Sequence, residues 1–262
     1  MPDVDHHAPG TPSWVDVTAP DTDAAAAFYG ALFGWDATEP GPVEETGGYR
    51  MFRMRDRSVA GLGPTREGGL PPRWTTYITV ADADASSAAI RGAGGSVFME
   101  PMDVLQAGRM AAAADPQGAF FCIWQPRDHI GSQIVNEPGA LIWNELATTD
   151  TDAAKAFYGA VFGWAADDMA GDDGTAYTRW SLDGHGMGGM MPMGDDYPAG
   201  IPPNWLAYFA VEDCAATVAR VAELGGSVQL EPMTIGMGTF AVLADPNRAV
   251  FAVIELAPEL RG

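Results

Sequence analysis

The chain repeats itself. Residues 14–35, WVDVTAPDTDAAAAFYGALFGW, align without a gap onto residues 143–164, WNELATTDTDAAKAFYGAVFGW, with 14 of 22 positions identical. Self-similarity constrains the fold before any element is named, because each copy must form the same supersecondary unit. A second block recurs as well: PPRWTTYITVADAD (71–84) against PPNWLAYFAVEDCA (202–215), then GGSVFMEPM (94–102) against GGSVQLEPM (225–233), and finally Asp115-Pro116 against Asp245-Pro246. Order and spacing hold throughout, and the segment PRDHIGSQIVNEPG (126–139) connects the copies. The 262 residues thus divide into two domains of about 130, each able to bury roughly two-thirds of its unfolded surface. The expected boundaries are a flexible tail over 1–10, a first domain over 11–127, a linker over 128–139 and a second domain over 140–257.

Each copy divides again. Val15 and Val17 alternate with Trp14, Asp16 and Thr18, the period of a half-buried strand. Asp21 supplies a helix N-cap, Ala24, Ala25, Phe28, Ala31 and Leu32 fall on one helical face, and Gly34 stops the helix. The stretch from Asp150 to Gly163 repeats this arrangement. Further on, Thr76, Ile78 and Val80 alternate in a strand, Asp82 caps a short Ala-rich helix, and the glycine run over 92–95 ends it. Ala207, Phe209 and Val211, then Asp213, then Gly225 and Gly226 read the same way. Short β runs at 49–54, 58–63, 109–114 and 119–125 complete the pattern. Each quarter is a βαβββ module, and four of them make an α+β protein.

Composition narrows the partners. Thirty-five acids against fourteen bases give a formal charge of -21, and Lys155 is the single lysine. Nucleic acid is excluded as an expected partner, because phosphate binding needs clustered cations. The first twelve residues lack the apolar core of a signal peptide, and no run of 18 apolar residues occurs, so a cytoplasmic protein with no membrane partner is expected. Cys122 and Cys214 stand in unrelated contexts and are expected to be reduced, buried thiols.

The FYG-x-x-FGW block after a capped helix start, the V-x-D strand exit and the DP-x-G turn resemble the vicinal oxygen chelate superfamily. That group includes glyoxalase I, bleomycin-resistance proteins and extradiol dioxygenases. GTPSWVDV, VAGLGP and ALIWNELATTD are similar to two-domain actinobacterial glyoxalase-like proteins of the hydroxylase type, and to accessory proteins of aromatic polyketide pathways. The resemblance runs from about Thr11 to Leu256. It implies two tandem glyoxalase-like domains, each pairing two modules whose mixed sheets curl around a cavity. A fold of this kind hosts many reactions and fixes none.

Enzymes of the superfamily bind a divalent ion through His, Gln and Glu on the concave strand faces. Counted from the shared motifs, the family's three ligand positions fall at Trp14, Thr75 and Cys122 in the first copy, and at Trp143, Leu206 and Ala252 in the second. None of these is a usual ligand. The four histidines lie elsewhere: His6 and His7 in the tail, His129 in the linker and His185 in a Gly-rich turn. No cofactor is therefore expected, and a divalent iron, zinc, nickel or manganese ion enters only under a different alignment of ligands.

Period two on the same strands places Asp16, Thr18, Thr75 and Tyr77 beside Trp14, with Phe120, Cys122 and Trp124 on the last strand. The matching set in the second copy is Trp143, Glu145, Leu206, Tyr208, Val250, Ala252 and Ile254. Flat apolar walls with a few polar groups suit a hydrophobic or aromatic small molecule, although such rings also fill ordinary cores. Asp16 and Glu145 occupy equivalent places; in an apolar cavity a carboxylate is raised in pKa and acts as a base or holds a ligand hydroxyl, whereas at a solvated mouth it does neither. His185 is a further candidate base, and Met187, Met190, Met191 and Met193 either line an adaptable pocket or fill core. The reading that follows is a metal-free binding module for an aromatic metabolite, acting as a monomer or homodimer. The alternative is a glyoxalase, dioxygenase or hydroxylase type of enzyme, using a non-standard metal site or Asp16 and Glu145 as general bases. A regulatory protein acting through protein contacts is a third class, with no motif behind it.

Overall fold

The computed structural model describes residues 4–65, 70–170, 174, 176–194, 197 and 200–261. The first module runs β1 (Pro12–Ala19), α1 (Thr22–Phe33), β2 (Asp36–Ala37), a single turn α2 (Val43–Thr46), β3 (Arg50–Met54) and β4 (Arg57–Pro64). The second runs β5 (Trp74–Thr79), α3 (Ala83–Gly92), β6 (Ser96–Val104), β7 (Gly108–Ala114) and β8 (Phe120–Pro126). The third comprises β9 (Leu141–Thr148), α4 (Thr151–Phe162), β10 (Ala165–Ala170), β11 (Ala176–Leu182) and β12 (His185–Pro192). The fourth comprises β13 (Asn204–Ala210), α5 (Cys214–Glu223), β14 (Ser227–Ile235), β15 (Gly238–Ala244) and β16 (Val250–Leu256). No helix among the described residues is long and apolar enough to cross a membrane.

The helices start and stop where their capping residues place them. Asp21 accepts from the backbone N–H groups of Asp23 and Ala24, and Asp150 from that of Ala153, which satisfies donors that the first turn leaves unpaired. Gly34 and Gly163 close α1 and α4 at φ of 72° and 73°, a left-handed conformation that glycine adopts without strain. The buried stripe of α1 is Ala25, Phe28 and Tyr29, whereas Ala24 and Ala31 face solvent. The expected face was thus rotated by about one residue. Four consecutive alanines carry no periodic signal, and the hydroxyl of Tyr29 hid the side chain that centres the stripe.

Each copy folds its two modules into one mixed sheet of eight strands. The orders are β2-β3-β4-β1-β5-β8-β7-β6 and β10-β11-β12-β9-β13-β16-β15-β14. The two modules of a sheet meet where β1 runs antiparallel to β5, and where β9 runs antiparallel to β13. Sheets are completed within a copy, but the cores are not. Helix α1 packs with the fourth module: Phe33 lies 5.1 Å from Phe209, and Tyr29 lies 5.9 Å from Phe251 between ring centroids. Helix α4 packs with the second module, where Phe157 and Phe162 meet Phe121 at 6.3 and 5.9 Å.

A pair of equivalent hydrogen-bond chains ties the exchange together. Trp74 Nε1 donates to Tyr29 Oη at 3.0 Å, and Tyr29 donates to Asp245 Oδ2 at 3.1 Å. Trp205 Nε1 donates to Tyr158 Oη at 3.0 Å, and Tyr158 donates to Asp115 Oδ2 at 3.1 Å. The two Asp-Pro turns therefore do more than start strands: each receives a buried hydroxyl from the other copy. Residues of the connecting segment also join the core, with Ile134 and Ser132 fully buried.

Candidate functional site

The sheet face turned away from the helices carries the site. Register brings the sequence-derived residues together: Trp14 lies opposite Tyr77, Asp16 opposite Thr75, and Tyr77 beside Cys122. In the second copy Trp143 pairs with Tyr208, Glu145 with Leu206, and Tyr208 with Ala252. Trp14, Asp16, Thr75, Cys122 and Trp124 are all buried although no helix covers this face. β1, expected to be half-buried, is enclosed on both sides, with the sheet curling over its inner face and His129 of the connecting segment packed on Trp14. In the second copy Tyr208, Ala252 and Ile254 are buried, Trp143, Glu145 and Leu206 are partly so, and Val250 is exposed.

Asp16 anchors the first face. Its Oδ2 accepts from Tyr77 Oη at 2.8 Å and from Tyr49 Oη at 3.1 Å, and Tyr49 in turn accepts from Trp14 Nε1 at 3.1 Å. Burial raises the carboxyl to a pKa of about 6; the two tyrosine hydroxyls and the Arg73 charge pull in the opposite direction. Burial, reinforced by the Asp16 charge, holds both tyrosines well above their ordinary value, so they remain hydroxyl donors. The Cys122 thiol is pushed up by burial and by Asp16, and is therefore not a thiolate.

The second face repeats the design with a longer acid. Tyr208 Oη donates to Glu145 Oε1 at 2.9 Å, Tyr177 also hydrogen-bonds Glu145, and Trp143 Nε1 donates to Tyr177 Oη at 3.0 Å. Burial raises Glu145 against those two hydroxyls. A glycine makes room for each tyrosine: a Cβ built on Gly61 would fall onto Tyr49 Oη, and one on Gly189 onto Tyr177 Oη.

Tyr49, Tyr177, Gly61 and Gly189 were missed in the sequence, although all four recur at matched positions of the repeat. Two further residues were missed because they have no such signal. The His129 ring packs edge-on against Trp14 at 4.5 Å and lies 5.7 Å from Trp124, whose Nε1 donates to the His129 carbonyl at 2.8 Å. Burial depresses this imidazole to a pKa of about 4, so it is neutral. Arg73 enters at the head of β5, with its guanidinium 4.0 Å above the Phe120 ring. His185 is exposed at the start of β12, away from any base role in a closed site. Met190 is fully buried in a core cluster, with Met187 packed against it.

The three ligand positions carried over from the superfamily do converge on each face, but with the wrong chemistry. An indole, a hydroxyl and a protonated thiol stand at Trp14, Thr75 and Cys122, and Trp143, Leu206 and Ala252 offer less still. Among the described residues no three of His, Cys, Asp and Glu gather into a ligand set. The residues present do not fit a divalent ion held in the family manner. What the arrangement offers instead is a donor-rich carboxyl beside aromatic walls.

Four βαβββ modules in two curled sheets, with the polar residues on the inner faces, define a tandem glyoxalase-fold protein. The chain belongs to the Glyoxalase/Bleomycin resistance protein/Dioxygenase superfamily: residues 132–253 match that family, and residues 14–124 match its Glyoxalase-like domain. It is 42% identical to "Putative glyoxylase CFP32" of Mycobacterium tuberculosis, over 99% of this chain and 100% of that protein. It is 40% identical to "Anthracycline biosynthesis protein DauV" of a Streptomyces species, over 95% of this chain and 94% of that protein. The Mn(II)-bound glyoxalase of Novosphingobium aromaticivorans shares the fold at a TM-score of 0.63 and 18% identity, covering 96% of this chain and 89% of that one. The 2,3-dioxygenase LapB of Pseudomonas sp. KL28 does so at 0.65 and 14% identity, covering 95% and 94%.

Proposed function

We propose that the protein binds a hydrophobic or aromatic small molecule on the inner face of its sheets, without a metal, in a sequestering or pathway-accessory role. The observation that carries this reading is the carboxyl, double-tyrosine and tryptophan cluster at Asp16, Tyr49, Tyr77 and Trp14, built a second time at Glu145, Tyr177, Tyr208 and Trp143. It occupies the faces on which the superfamily resemblance places an ion. Tyrosine hydroxyls and a carboxyl that shares protons offer both donors and an acceptor to a ligand oxygen, while indole and phenyl faces take up a planar ring system. A relative named for anthracycline biosynthesis is consistent with an aromatic ligand.

The second reading, an enzyme, rests on the raised Asp16 carboxyl. A buried aspartate with a pKa near 6 is matched to proton abstraction at neutral pH. Elemental analysis and native mass spectrometry of the protein purified without a histidine tag test both readings. The expected result is substoichiometric transition metal and a retained small molecule, or uptake of an added planar aromatic. Stoichiometric metal overturns the metal-free reading. Turnover of the bound compound that disappears in Asp16→Asn favours the enzyme.

A further inference from the structure

The duplicated faces are not equivalent, and the difference lies in charge. Arg73 in the first copy is matched by Asn204 in the second, Phe120 by Val250, Cys122 by Ala252 and Trp124 by Ile254. Arg73 is held at the entrance of β5 by backbone contacts with Thr18: Thr18 N–H donates to the Arg73 carbonyl at 3.0 Å, and Arg73 N–H donates to Thr18 Oγ1 at 3.3 Å. Its side chain is half-buried against Phe120. Among the described residues that guanidinium has no hydrogen-bond acceptor and no ion-pair partner, whereas others hold carboxylates closely, Arg50 with Asp23 at 2.6 Å and Arg109 with Asp84 at 2.9 Å. Asp16, the acid on the same face, gives one oxygen to two tyrosines and forms no ion pair with Arg73.

A guanidinium centred over an aromatic ring still has N–H donors to give, and their planar fork matches a carboxylate. Beside it, Phe98 lies 6.3 Å from Phe120 at an interplanar angle of 16° and is strongly exposed, as is Met102 on the same edge strand. Cation and uncovered flat apolar surface thus adjoin.

From this juxtaposition we infer that the first face selects an anionic aromatic ligand, a ring system bearing a carboxylate or an equivalent acidic oxygen, with Arg73 gripping the anion and Phe98 and Phe120 taking the rings. Among the described residues the second face has no counterpart: Asn204 Nδ2 already donates to the Pro202 carbonyl at 2.9 Å, and Val250 stands in the place of Phe120. Arg248, on the Asp-Pro turn, lines an open cleft of about 310 Å³ with Ser227, Gln229, Ala244 and Val250. The inference deepens the ligand-binding reading above and rests on it. Asp16 stands on the same face and is raised to a pKa of about 6, so its opposition to an arriving anion weakens as pH falls toward that value.

Calorimetry of the full chain with 2-naphthoate and its uncharged isostere 2-naphthamide tests it. The acid is expected to bind at least roughly tenfold more tightly than the amide, the discrimination of one charge-assisted contact. Arg73→Gln is expected to abolish that preference, Arg73→Lys to retain part of it, and Arg248→Gln to leave it intact. Near-UV circular dichroism checks that the variants keep their aromatic packing. Equal binding of acid and amide by the native chain overturns the anion assignment and leaves the ligand face standing. A preference that survives Arg73→Gln, or falls in Arg248→Gln, overturns the placement at Arg73. Failure of both compounds to bind overturns the ligand-binding reading, and this inference with it.

Discussion

Replacing Asp16 with asparagine isolates the energetics of the first face. The amide keeps the size of the side chain and an oxygen that accepts from Tyr49 and Tyr77, but it does not ionise. In the native chain burial raises the carboxyl from 3.8 to about 6, so the folded state prefers the protonated form. A raised acid contributes stability that is full below its unfolded pKa and is lost as pH rises through its folded pKa. The whole shift amounts to about 3 kcal/mol, of which about 1.4 kcal/mol is lost between pH 5 and pH 8. The range below pH 5 is closed to measurement, since the sequence pI of 4.2 promotes precipitation there. Urea unfolding of both proteins at half-unit steps from pH 5 to pH 8 reads the effect as a difference. Glu145, Asp115 and Asp245 are raised by burial too, but they are common to both chains and cancel. The native chain is expected to lose about 1.4 kcal/mol relative to Asp16→Asn across the window, close to half a molar in urea midpoint for a slope of ~3 kcal/mol/M. A difference that stays flat with pH would refute the buried, raised carboxyl, and a difference of opposite sign would mean that Asp16 is held as an ion.

Other substitutions follow from the same geometry. Gly61→Ala forces Tyr49 off Asp16 and Trp14 and is expected to lower stability by about 2–3 kcal/mol in urea titration, since overpacking adds to two lost hydrogen bonds. Tyr29→Phe and Tyr158→Phe each strip a buried aspartate of a donor and a tryptophan of an acceptor. Each is expected to cost about 2 kcal/mol, and their effects to add, because they lie in separate cores. His129→Phe keeps a ring against Trp14 and removes Nε2, a buried nitrogen with no partner among the described residues. It is expected to be at least as stable as the native chain and about 1 kcal/mol more stable than His129→Ala by thermal unfolding.

Much of this architecture was legible in the sequence because duplication wrote it twice. Caps at Asp21 and Asp150, stops at Gly34 and Gly163 and the strand registers around Trp14 and Trp143 follow from local chemistry that one copy states and the other repeats. The site residues on β1, β5 and β8 came from the superfamily's ligand positions at Trp14, Thr75 and Cys122, extended by period two, since a strand obliges alternate residues to share a face. Tyr49 and Arg73 escaped for a different reason: each enters at a strand end, where a turn rather than the strand's alternation sets the side chain's direction. The exchange of helices between copies was invisible, because an apolar helical stripe shows that something is covered and never by what. Tyr29 and Asp245 stand 216 residues apart, and nothing in either neighbourhood names the other.

That separation has a consequence for synthesis. The first sheet can pair its strands once residue 126 has left the ribosome, yet the ring cluster on α1 meets Phe209 and Phe251 only when the last strand has been made. At ordinary elongation rates the delay is on the order of 6 to 26 s. During that interval the nascent chain presents Phe28, Tyr29 and Trp74 uncovered, a surface that chaperones bind and neighbouring nascent chains on one messenger can capture. Stops or pauses late in the message should therefore be more damaging to yield than their distance from either inner face suggests.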